Sequence, residues 1–167
     1  SSDVCSSDLW SMGVWVASRV FAGHSFPWQM KLAVNGTPFP IDDRCGIPEM
    51  IFKGTLEHFS EDKLARFRRR MCGSSGQTEE FLSHTPTRTA EELREELAAL
   101  ALGITAYGSS SFIWDRAIIG NRDKIFPPRN QHEAWQGTEI METEAEHYET
   151  SLFSRLLEGK GEEWTRH

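Results

Sequence analysis

Gln29-Met30-Lys31-Leu32-Ala33-Val34-Asn35-Gly36 is the stretch on which the fold class turns. Met30, Leu32 and Val34 alternate with Gln29, Lys31 and Ala33, the period-two pattern of a strand with one buried face. Asn35-Gly36 is a dipeptide that tolerates positive φ at both central positions of a type I′ turn. Phe39 and Ile41 then resume the alternation. The pattern predicts an N-terminal β-hairpin, with residues 30–34 antiparallel to 37–41. Pro38 and Pro40 cannot donate ladder hydrogen bonds, which predicts an edge or irregular second strand.

Outside this stretch the signals are mostly helical. Ser60 is a good N-cap, Glu61 and Asp62 follow it, and Leu64, Phe67 and Met71 form an apolar stripe. Cys72 to Gly76 reads as a polar linker. Thr89-Ala90-Glu91-Glu92 is a capping box ahead of a helix over 90–107. Leu93, Leu97, Leu100 and Ile104 are expected to be its packed face, with Gly108 ending it. Residues 112–119 read as a short helix or, alternatively, a strand. Pro127-Pro128 imposes an extended link. Thr138 reads as an N-cap for a last helix over 139–157, docking through Met141, Ala145, Tyr148, Leu152 and Leu156. Residues 10–27 are ambiguous, with the Val14/Val16 alternation favouring a strand. The sum is an α+β fold, a mostly helical single domain with a short N-terminal β-hairpin.

Ser1 to Leu9 resembles one reading frame of a common short-read sequencing adapter. These residues are set aside as a non-native tract of a metagenomic fragment, 10–158 is taken as the domain, and 159–167 as a frayed tail. The true N-terminus then lies before Trp10, with any signal peptide hidden. The 167-residue chain carries a formal charge of −7, and this acidity disfavours nucleic-acid binding. No apolar run approaches the ~20 residues of a membrane span. Cys45 and Cys72 lack the spacing of a disulfide framework or zinc site, which points to a reducing, cytoplasmic setting.

Several residues invite chemistry. Glu144-Ala145-Glu146-His147 contains an E-x-x-H step, which on a helix places a carboxylate and an imidazole where both can bind one metal. His132, Glu133, His58 or Glu57 would have to complete such a site. On the expected helix, however, His147 turns toward the polar side, away from Leu152. Lys63, Arg66, Arg68, Arg69 and Arg70 could grip phosphate, but they sit at a helix C-terminus, where cations complement the dipole. Cys72 suffers from the same polarity as a thiolate nucleophile. Ser109-Ser110-Ser111 lacks the G-x-S-x-G elbow. His24, His58, His84 and His132 show no metal spacing. Asn35-Gly36-Thr37 fits a glycosylation sequon, but the turn accounts for it. The residues therefore favour a non-catalytic interaction or assembly module with an unknown protein partner and no cofactor. The alternative is a metal-dependent enzyme, an oxygenase or hydrolase, using Glu144 and His147 with a transition-metal ion.

Overall fold

The computed structural model describes residues 6–23, 30–84, 88–149 and 151–153. Four parallel strands form one sheet in the order β1 (Ser6–Trp10), β2 (Met30–Val34), β3 (Arg116–Gly120) and β4 (Glu139–Thr143). The helices α1 (Gly13–Phe21), α2 (Glu49–Glu57), α3 (Glu61–Cys72), α4 (Ser75–His84), α5 (Ala90–Tyr107) and α6 (Pro128–Ala134) accompany them, and residues 151–153 are also helical. The expected mixture of strand and abundant helix is present. None of these helices is long and apolar enough to cross a membrane.

The N-terminal hairpin does not form. Residues 30–34 are a strand, but their neighbours are β1 and β3, both parallel, not residues 37–41. Asn35 does adopt a left-handed φ of 46°, whereas Gly36 does not join it at positive φ, as a type I′ turn requires. Instead the Asn35 N–H donates to Ile118 O at 3.0 Å. A Cβ on Gly36 would lie 2.1 Å from Ser11 O, so the chain leaving β2 passes against the end of β1. The alternation that looked like a half-solvated hairpin strand belongs to a central strand buried on both faces.

One sheet face packs Ala33, Ala117 and Ile119 against Val14 and Ala17 of α1 and against Trp135 beyond α6. The other carries Met30, Leu32, Val34 and Ile118 against Ala145 and Leu152. A third cluster joins Phe52, Met71 and Cys72 to Ile125 and Phe126. Residues 13–21 are helical, not extended; Val14 and Ala17 turn inward while Val16 stays exposed. Residues 116–120 take the strand alternative. The helix expected over 139–157 does not run through residues 139–149; residues 151–153 are helical, and Leu156, like the tail expected over 159–167, lies outside the described residues. The first residues of the expected helix form β4, and His147 follows in a connecting segment. β3 supplies every backbone partner for β4 from Glu139 to Thr143, and this pairing overrides the Glu-rich helical pattern. Ser6 to Leu9, set aside in the sequence, occupy β1 and pair with β2 from Met30 to Ala33.

Local capping was legible. Ser60 accepts the Lys63 N–H, and Thr89 and Glu92 form the reciprocal capping box. The polar linker after Cys72 is shorter than expected, because Ser75 already opens α4. Leu93, Leu97, Leu100 and Ile104 are only half-buried, and Leu97 and Leu100 border an open cavity. Ile118→Ala should therefore cost ~2–5 kcal/mol, the range for emptying a packed site. Leu97→Ala should cost distinctly less, because its wall of the cavity is already partly unfilled. Urea unfolding of the two variants checks this ranking, and a larger loss for Leu97→Ala would refute it.

Candidate active site

β1 ends at Trp10 and α1 begins at Gly13, so Ser11 occupies a sharp strand-to-helix turn. Its φ is 60°, a left-handed conformation that costs a serine roughly 1–3 kcal/mol. Two hydrogen bonds hold it there: Ser11 N–H donates to Val34 O at 3.0 Å, and Val14 N–H donates to Ser11 O at 3.1 Å. The strained turn carries the Ser11 hydroxyl to the C-terminal edge of the sheet.

His147 Nε2 lies 3.0 Å from Ser11 Oγ, and His147 Nδ1 lies 2.7 Å from Asp123 Oδ2. The carboxylate can only accept, so Nδ1 carries the proton and Nε2 is left to accept from the serine hydroxyl. Asp123 is fixed from its other side: Oδ1 accepts the Ile125 and Phe126 N–H groups, at 2.8 and 2.9 Å, and Oδ2 also accepts from Gln131 Nε2 at 3.1 Å. The His147 side chain is 1% exposed and that of Asp123 0%. Phe126 stacks on the imidazole, with ring centroids 5.9 Å apart, and Trp10 tilts over it at 4.9 Å.

Ser11 and His147 also line a cavity of about 750 Å³. Val16, Val20, Ile47, Phe52, Phe67 and Leu97 make its walls largely apolar, and Arg70, Glu96 and Lys124 add charge. Such a space suits a long acyl or alkyl group beside the serine.

The proposed metal pair does not come together. His147 faces Ser11 and Asp123, while Glu144 is largely exposed, accepts from Asn121 Nδ2 at 3.1 Å and lies 3.7 Å from Arg122 Nε. The E-x-x-H step is on no helix, so its i, i+3 spacing creates no shared face. No group of three or more His, Cys, Asp or Glu able to hold a metal occurs among the described residues. His132 instead meets Glu142 at 2.8 Å, and Glu133 meets Arg44 at 2.6 Å. Cys72 is buried in the apolar cluster with Phe52, Met71 and Phe126, and burial pushes its thiol pKa up, which suits a packing residue.

Ser11 and Asp123 are the functional residues that the sequence concealed. Leu9 stands where a G-x-S-x-G elbow has its first glycine, inside the tract set aside as non-native, so the pattern reads Leu9-Trp10-Ser11-Met12-Gly13. The remaining signals were Trp10-Ser11-Met12-Gly13 itself, Asp123 just beyond the apolar run of β3, and the order Ser, Asp, His along the chain.

A parallel sheet, a strained serine between strand and helix, and a Ser–Asp–His relay in this order define a site of the α/β-hydrolase class. Residues 5–158 match the family described as pimeloyl-ACP methyl esterase BioG, and the chain belongs to that family. It is 47% identical over 150 residues to a malonyl-[acyl-carrier protein] O-methyltransferase of Bacteroides fragilis, a match covering 89% of this chain and 31% of that protein. It is 44% identical over 147 residues to an uncharacterized protein of Haemophilus influenzae, covering 87% of this chain and 67% of the other. The crystal structure of BioG from Haemophilus influenzae superposes with a TM-score of 0.79 at 42% identity, over 86% of this chain and 67% of that one. The chain thus spans about a third of the length of the first relative. Family and site together overturn both functional expectations, the non-catalytic assembly module and the metal-dependent enzyme.

A fluorophosphonate probe should form its adduct on Ser11 and not on Cys72 or Ser109 to Ser111. Asp123→Asn should slow labelling by on the order of 10⁴-fold, the loss expected when the histidine is left in the wrong tautomer. Peptide mass spectrometry of the labelled protein locates the adduct, and unchanged labelling of Asp123→Asn would exclude the relay.

Proposed function

We propose that this chain hydrolyses the methyl ester of a pimeloyl group carried on acyl carrier protein. The observation that carries the reading is the Ser11–His147–Asp123 relay opening onto a large apolar cavity. Ser11 Oγ attacks the ester carbonyl while His147 Nε2 takes the hydroxyl proton. Asp123 holds the imidazole in orientation and stabilises its positive charge. The Met12 N–H, first past the nucleophile, supplies one donor to the developing oxyanion. The bond to the methoxy oxygen breaks, and His147 returns the proton to release methanol. Water, deprotonated by His147, then cleaves the acyl-serine and restores the hydroxyl. These steps draw on no metal ion.

The apolar cavity would take the methylene chain of the substrate, with each buried CH₂ contributing ~0.8 kcal/mol. The carrier would dock on α3. Its Phe67, Arg70 and Met71 border the cavity, while Arg66, Arg68 and Arg69 form part of a neighbouring groove with α4. An otherwise acidic chain gathers these cations on one helix that also borders the cavity, where they suit the phosphate on the carrier's prosthetic arm. The partner on this reading is a carrier protein, with neither nucleic acid nor membrane involved, and the setting is cytoplasmic, where Cys45 and Cys72 stay reduced. The methyltransferase name belongs to a relative of which this chain matches 31%, and nothing in a serine relay supports transfer of a methyl group from a donor.

Incubation with pimeloyl-carrier methyl ester should release methanol and leave the carrier thioester intact, as read by mass spectrometry of the carrier. Ser11→Ala should abolish release, and methanol release by Ser11→Ala at the wild-type rate would sink the reading. Arg66→Glu combined with Arg69→Glu should raise KM for the carrier-bound ester on the order of tenfold and flatten its dependence on ionic strength. A salt profile identical to the wild type would remove α3 from the docking surface.

A further inference from the structure

Asn35 is fully buried, adopts a left-handed backbone, and spends every polar atom of its side chain at the active-site edge. Nδ2 donates to Glu146 O at 3.1 Å and to His147 O at 3.0 Å. Oδ1 accepts the Gly120 N–H at 2.7 Å, at the end of β3. One side chain therefore ties the strand that leads to Asp123 to the segment that carries His147. The approach is close: a Cβ on Gly120 would lie 2.5 Å from Ala145 O and 3.0 Å from Asn35 Oδ1. The Trp10 indole N–H donates to the same His147 O at 2.8 Å, from the residue preceding the nucleophile.

His147 does not sit on a regular element, so no helix or strand ladder fixes its backbone. Asp123 and Ser11 hold the ring, but a ring held at both nitrogens still moves if its backbone moves. We propose that Asn35 is a positioning residue for the relay: its amide fixes the His147 main chain so that the imidazole spans Asp123 and Ser11 in one geometry. Its left-handed backbone supports this role. Asn is among the non-glycine residues that tolerate φ > 0, and glycine there would lack the amide. Aspartate is isosteric but offers carbonyl oxygens no donor when ionised.

The inference rests on the serine-esterase reading, and the test separates the two. Wild type, Asn35→Asp and Asn35→Ala are compared on p-nitrophenyl butyrate, with fluorophosphonate labelling of Ser11 alongside. Both variants should lose kcat on the order of 10–100-fold, the scale for displacing a catalytic group by about an ångström. KM should stay within about twofold, because Asn35 does not line the cavity. Labelling of Ser11 should slow in parallel with kcat. A wild type that is neither labelled nor active defeats the esterase reading itself. An active wild type with either folded variant keeping kcat within about twofold overturns the positioning role alone, as does a rise in KM at constant kcat. Failure of both variants to fold also overturns it, by assigning the amide to stability.

Discussion

Parallel pairing of β1, β2 and β3 is the constraint on which everything else depends. Trp10 sits opposite Val34, and Val34 opposite Ile118, so the strands end together at one edge. Ser11 and Asn35 leave that edge at once, Asp123 follows three residues after Gly120, and Thr143 at the end of β4 leads to His147. A one-residue slip in any pairing would turn side chains to the opposite face and move the exit of that strand by about 3.3 Å. A relay with links of 2.7 and 3.0 Å does not survive such a shift.

Burial gives that geometry its force. On the proposed mechanism, charge that develops on the buried imidazole is stabilised more strongly by Asp123 than it would be in water. Trp10 and Phe126 both pack against the His147 ring, and both contribute to the apolar clusters as well. The same side chains thus close the core and set the dielectric of the site. The strained Ser11 turn is held by bonds to Val34 and from Val14, so the cost of its backbone is offset within the sheet and helix it connects.

Helices α2, α3 and α5 contribute walls to the cavity beside the serine, and this division explains why their apolar stripes are incompletely buried. A helix stripe read from sequence signals contact with something apolar, but not whether that is protein or a substrate. Leu97 and Phe67 satisfy the helical period and still border open space, whereas Leu32 and Ile118, on short strands, are wholly buried.

The sequence by itself determined what nearest neighbours can settle. It specified the Ser60 and Thr89 caps, the span of the helix over 90–107, the strand over 30–34 and the left-handed Asn35, because each depends on groups within a few residues. It also pointed to His147 as chemically notable, though with the wrong partner: Glu144 is three residues away along the chain, but a segment leaving a strand puts no common face on that spacing. Only the tertiary structure decided the rest. Whether β2 pairs with the next segment or with strands before and after it turned on long-range hydrogen bonds that the alternation of one strand cannot distinguish. The relay unites residues 11, 123 and 147, each in a different connection. Its elbow was further disguised by Leu9 in place of glycine. Distances between such residues are set by sheet register and by the hydrogen bonds joining strand ends, and neither is a property of any local stretch of chain.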